Sequence, residues 1–216
     1  MQLLYDQLNT VSPETAEELY QKFYPACAIA KLTPTQAQDV FDRILALYAE
    51  TDDPTLQSYC LLYFGAVVDT RALNPNTLEH LSHVLDKTLA ALKDFRVKDS
   101  HGRYIHFLSH AAYLAQSIYD AGGTINWEAL LEAYLRAEGP LVWHEDLVLA
   151  DCLLGMVPKE DFASLLARLA SGDSEGAKAS NKRALWMAMK VINTQTRQHD
   201  DAAFTKLTSE LMAVLA

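Results

Sequence analysis

His106 and His110 stand four residues apart, the spacing at which one helical face offers two imidazole nitrogens to a single metal ion. Such a site needs a third ligand, and His80 or His83 upstream is a candidate for it. The glutamate that follows the first histidine of a zincin motif is absent, because Phe107 occupies that position. Asp151 is the other residue of catalytic type in an unusual setting. The run Leu147-Val148-Leu149-Ala150-Asp151-Cys152-Leu153-Leu154 is apolar nearly all round a helix. A carboxylate there must be paired, hydrogen-bonded, protonated or turned toward a solvated groove. His144 lies on the same face, seven residues earlier. An enzyme reading therefore centres on His106, His110 and Asp151, as a metal-dependent hydrolase. It has little else behind it: no Gly-rich phosphate loop, no G-x-S-x-G and no glutamate three residues ahead of a histidine.

The same residues also suit recognition. From Arg103 to Asp120 a helical period places Ile105, Leu108, Ala112, Ala115 and Tyr119 on a broad apolar face. His106, Ser109, His110, Tyr113, Gln116, Ser117 and Asp120 share the other face, where a solvated helix would show Lys and Glu. Tyr59 and Tyr63 are one turn apart beside Ser58. Further along, Trp186 is framed by Lys182, Arg183 and Lys190, with Met187 and Asn193 on the same arc and Leu185, Ala188 and Ile192 opposite. A tryptophan among cations is a common interface anchor.

The elements that must position these groups are helices. Ser12-Pro13, Thr33-Pro34, Asp53-Pro54 and Asn74-Pro75 each set a capping side chain before a proline at the first helical position. Their prolines fall 21, 20 and 21 residues apart. Periodicity predicts helices over 2–9, 13–30, 34–49, 54–69, 75–93, 103–121, 126–138, 143–156, 158–171, 176–196 and 200–215, with Pro25 kinking or splitting the second. No stretch alternates with a period of two. The expected fold is all-α: one domain over residues 1–216, built as a curved array of antiparallel helix hairpins, a HEAT-like α-solenoid. A compact multi-helix bundle is the alternative.

Composition limits the partners. With 50% apolar and 21% charged residues the 216-residue chain can build a sizeable core. A net charge of -10 argues against nucleic acid, whose phosphates need an excess of Lys and Arg. The charge is uneven: residues 120–175 hold 11 acids and 3 bases, whereas 176–199 hold 5 bases and no acid. Cys27, Cys60 and Cys152 are far apart in apolar surroundings and read as buried thiols of a reducing compartment. The absence of a long apolar run argues against a membrane and for the cytoplasm.

In an array of hairpins the second helix of each pair lines the concave side. Those helices start near 54, 103, 143 and 176, and they carry Tyr59, Tyr63, His106, His110, Tyr113, His144, Asp151, Lys182, Arg183, Trp186 and Lys190. The function expected from this coincidence is a non-catalytic interaction module, adaptor- or inhibitor-like, that binds a protein or peptide on its concave face without a cofactor.

Overall fold

Prolines and their caps start three of the helices as the sequence demands. Thr33 and Gln36 form a reciprocal capping box ahead of Pro34, Asp53 accepts from the N–H groups of Thr55 and Leu56, and Asn74 accepts from that of Thr77. The computed structural model describes residues 2–93, 95, 98–137, 145–158, 160–170, 176–196, 202 and 205. Its helices are α1 (Gln2–Thr10), α2 (Ala16–Ala30), α3 (Pro34–Glu50), α4 (Pro54–Val68), α5 (Pro75–Ala91), α6 (Phe107–Asp120), α7 (Trp127–Leu135), α8 (Glu145–Met156), α9 (Phe162–Ala170) and α10 (Gly176–Thr196). The chain is all-α. Among the described residues the only β pairing is an isolated bridge between Lys98 and Tyr104. No helix among them is long and apolar enough to cross a membrane. The helix expected over 200–215 lies outside the described residues.

Three expectations need correction. Ser12-Pro13 opens a turn and not a helix: the N–H of Thr15 donates to the Ser12 carbonyl and the Thr15 hydroxyl accepts from the Ser12 N–H, so α2 begins at Ala16. Pro25 does not split α2, which runs unbroken from Ala16 to Ala30 with Pro25 and Gln21 both at exposed positions. Finally, α6 begins at Phe107, four residues later than periodicity suggests. The segment before it is folded into a tight hairpin in which Gly102 and His106 have φ of 79° and 44°.

Arg103 is what holds that hairpin. Its guanidinium donates to Asp99, to Glu14 at 2.6 Å and to Asp53 at 3.2 Å. Burial alone would raise the pKa of Asp99, but hydrogen bonds from the Arg103 side chain, from the N–H groups of Arg103 and His101 and from Thr55 hold it well below the usual carboxylate range. Glu14 precedes α2, Asp53 caps α4 and Arg103 precedes α6. The N-terminal ends of these three helices therefore share one edge, and α2, α4 and α6 run in the same direction.

The even-numbered helices form a row in which α2 packs on α4, α4 on α6, α6 on α8 and α8 on α10. The odd-numbered helices lie alongside: α3 packs on α4, α5 on α6, α7 on α5 and α6 and to a lesser extent on α10, and α9 on α10. Polar contacts between the odd helices include Tyr48 bonded to Thr88 at 2.7 Å, Thr77 to Gln38 at 2.6 Å, and Arg168 paired with Glu128 and Glu132. Buried apolar side chains from Leu8 in α1 to Met189 in α10 make one contiguous core.

Two glycines in this frame differ in what they require. The α6 stop is a Schellman motif, with the N–H of Gly123 on the Ile118 carbonyl and that of Gly122 on Tyr119. A Cβ on Gly123 would stand 2.6 Å from Ile118 Cγ2, inside contact distance. A Cβ on Gly65, within α4, would meet only Ser117 Oγ at an ordinary 3.5 Å. In urea unfolding, Gly123→Ala should lower stability by about 1–3 kcal/mol. Gly65→Ala should raise it by about 0.5–1 kcal/mol, the helix-propensity gain of alanine over glycine. A loss at Gly65 would mean that packing, and not the space above it, sets its size.

Candidate binding cleft

α4 is buried along nearly its whole length, which decides where its functional candidates point. Tyr63 is fully buried and its hydroxyl donates to the Ala16 carbonyl at 2.7 Å. Tyr59 is buried against the His110 ring, with centroids 5.2 Å apart. Neither tyrosine lines an open surface, contrary to the expectation for a concave face. A helix with apolar residues on every side gives periodicity no exposed face to find.

His110 joins α6 to α4. Ser58 is fully buried; its hydroxyl donates to the Ile105 carbonyl and lies 2.7 Å from His110 Nδ1, which is also 3.2 Å from the Ser58 carbonyl. With the serine proton committed to Ile105, Nδ1 carries the hydrogen and donates to Ser58. Burial, together with the neighbouring His106, lowers the pKa of His110 to about 3. The ring is a neutral structural link, and Ser58 is not a nucleophile activated by a histidine base.

Above this link lies an open cleft of about 330 Å³ between α2, α4 and α6. Leu62, Gly65 and Ala66 form its floor with an edge of His110, and Tyr20, Tyr24, Tyr113, Asp69 and Ser117 rise around it. Tyr113 is 53% exposed and Tyr24 43%. The Tyr20 and Tyr24 rings are 6.0 Å apart and inclined at 49°. Burial, aided by Tyr24, Asp69 and Tyr113, pushes the Tyr20 hydroxyl up to about 12, and burial also raises that of Tyr113, so both phenols are neutral donors at physiological pH. Sequence reasoning placed Tyr113 on an open face but passed over Tyr20 and Tyr24. Their i,i+4 spacing in α2, with Pro25 beside them, was the available signal.

The remaining candidates are dispersed. His106 stacks on Tyr104 with ring centroids 5.0 Å apart, and its Nδ1 is 3.7 Å from Glu145, at the N-terminal edge of α6. Asp151 is exposed, not embedded in apolar packing; the Tyr113 hydroxyl is raised by burial first, then by Cys152 and by Asp151 nearby. His144 lies outside the described residues. In α10, Trp186, Lys182 and Asn193 are buried, correcting the expectation of one exposed arc; Arg183, Met187 and Lys190 remain exposed. Packing of α10 against α7, α8 and α9 covers more than one side of it, and so encloses Trp186. Lys190 lies over the Trp186 ring at 5.4 Å.

The His106 and His110 rings lie 6.1 Å apart, but the described residues assemble no metal site around them. Among the described residues no group of three or more His, Cys, Asp or Glu side chains is placed to hold a metal ion. All three thiols are buried, and burial pushes each up to about 12, which keeps them from acting as nucleophiles. No family model, curated protein or solved structure matches the chain.

The neutral His110 makes stability depend on acid. Its folded pKa lies near 3, below the unfolded value of 6.5, so the unfolded chain takes up the proton first as pH falls. The contribution is complete above about pH 6.5 and is lost as pH drops toward 3, by up to about 1.4 kcal/mol per pH unit. Unfolding at pH 6 and pH 4 should therefore show a steeper acid loss for the wild type than for His110→Gln, which cannot titrate. Carboxylates contribute equally to both proteins and cancel in the comparison. Parallel pH profiles would mean that His110 accepts a proton in the folded state.

Proposed function

We propose that the protein is a non-catalytic interaction module: a short array of stacked helix hairpins that holds a protein or peptide segment on the face of its even-numbered helices. The observation that carries this reading is the open, tyrosine-walled cleft between α2, α4 and α6. Tyrosine brings large contact area and a hydroxyl at low entropic cost, which is why it is enriched where proteins meet. The order of packing, each even helix on the next, supports an array, because hairpins that stack in sequence leave one face of the row uncovered. Along that face α8 offers Leu147 and Asp151, and α10 offers Met187, Val191, Arg183 and Lys190.

Several features weigh against an enzyme. The buried Ser58 has committed its proton, the thiols are protonated, His110 serves as a structural link and His106 lies at the N-terminal edge of α6. An adaptor or an inhibitor that covers a partner's surface requires none of these groups to react.

Selection of random twelve-residue peptides against the immobilised chain tests the reading. Enriched peptides should bind the wild type and lose at least about tenfold in affinity to Tyr113→Ala, the loss of one anchor residue. The melting temperature should stay almost unchanged, because an exposed side chain contributes within about 0.5 kcal/mol. Failure to enrich any peptide, or equal binding by Tyr113→Ala, would refute this use of the cleft.

A further inference from the structure

The cleft carries one unbalanced charge. Of the side chains that line it, Asp69 is the one acid and none is a lysine or arginine, while His110 presents a neutral ring and Tyr20, Tyr24, Tyr113 and Ser117 present hydroxyls. Asp69 is the C-cap residue of α4. A carboxylate at that end adds to the negative pole of the helix, where a cation is the favoured neighbour. Lys31 shares an adjoining depression with Asp69 and Tyr24, yet the two form no ion pair in the structure. At the opposite edge Glu14, Asp53 and Asp99 all meet Arg103. Those three carboxylates share a cation where α2, α4 and α6 begin, whereas Asp69 has none among the described residues where α4 ends.

The walls suit the same kind of guest. Tyr20 is inclined to Tyr24 at 49° and to Tyr63 at 45°, with centroids 6.0 and 6.2 Å apart. Inclined ring faces attract a cation held within about 6 Å of their centroids. A space of about 330 Å³ is at the small end for ligand sites, so it admits one side chain and not a helix. We propose that the cleft receives the cationic end of a lysine or arginine side chain from the partner, cradled by Tyr20, Tyr24 and Tyr113 with Asp69 as counter-ion. This rests on the reading of the cleft as partner-facing and names the chemistry it selects.

Small probes separate the two ideas. The full chain, carrying ¹³C-labelled tyrosine rings, is titrated with n-butylammonium, with n-butylguanidinium and with 1-pentanol, a neutral molecule of similar shape. Saturable shifts of the Tyr20, Tyr24 and Tyr113 resonances are expected with the two cations and not with the alcohol. Asp69→Asn should weaken both cations at least about five-fold, whereas Asp52→Asn, a change at an exposed acid near the opposite edge, should match the wild type. Shifts of equal size with pentanol, an absence of saturation, or unchanged cation binding in a folded Asp69→Asn would overturn the proposal. If peptides enriched through Tyr113 carry no Lys or Arg in common, the partner face stands and the cation pocket falls. If the cations bind and no peptide is enriched, the pocket stands and the partner face falls.

Discussion

α4 has almost no side that tolerates water: thirteen of its fifteen residues are buried. Each large apolar side chain placed in the core contributes roughly 1.5–3 kcal/mol, so a helix of this composition must be covered on every flank. α3 covers one side, while α2 and α6 lie along two others. The polar groups that α4 carries inward must then find partners inside, because an unpaired buried hydroxyl costs about 1–3 kcal/mol. Tyr63 reaches the start of α2, and Ser58 reaches both Ile105 and His110. The loop before α6 is fastened by those bonds from within and by Arg103 from outside.

The cleft follows from the same covering. α2 and α6 both rest on α4, and where α4 offers only Gly65 and Ala66 its surface is low. The rings of Tyr20, Tyr24 and Tyr113 stand over that low ground without filling it. A Cβ at position 65 has room, so the hollow is not forced by contact between backbones. Hydroxyls, one carboxylate and a neutral imidazole edge are what the hollow offers a guest.

Much of this fold could be read from residues in order, because its strongest signals are local. Thr33, Asp53 and Asn74 cap the helices they precede, and the pair Gly122-Gly123 ends α6 as its left-handed stop requires. What escaped reading depends on distant partners. The apolar pattern Tyr104-Ile105 continues that of α6, but Arg103 is drawn out of the helix by Asp53, fifty residues away, and by Glu14, eighty-nine away. Ser58 and His110 are separated by fifty-two residues, and nothing in either neighbourhood names the other. Trp186 and Lys182 share a helical arc with Arg183 and Lys190, yet packing divides that arc between core and solvent. Periodicity assigns residues to a face, and only the neighbours of the helix decide how many faces are covered. Tyr20 and Tyr24 show the converse, since their value arises only when α4 and α6 arrive beside them.

The buried thiols carry a further consequence. Cys27, Cys60 and Cys152 belong to α2, α4 and α8, three separate members of the even row. Because each thiol is protonated and enclosed, a thiol-specific reagent can reach it only when its own helix opens. The chain thus contains its own set of local clocks. One alkylation time course, resolved by peptide mass, reads the opening of α2, the central α4 and α8 independently, and shows whether the row comes apart helix by helix or all at once.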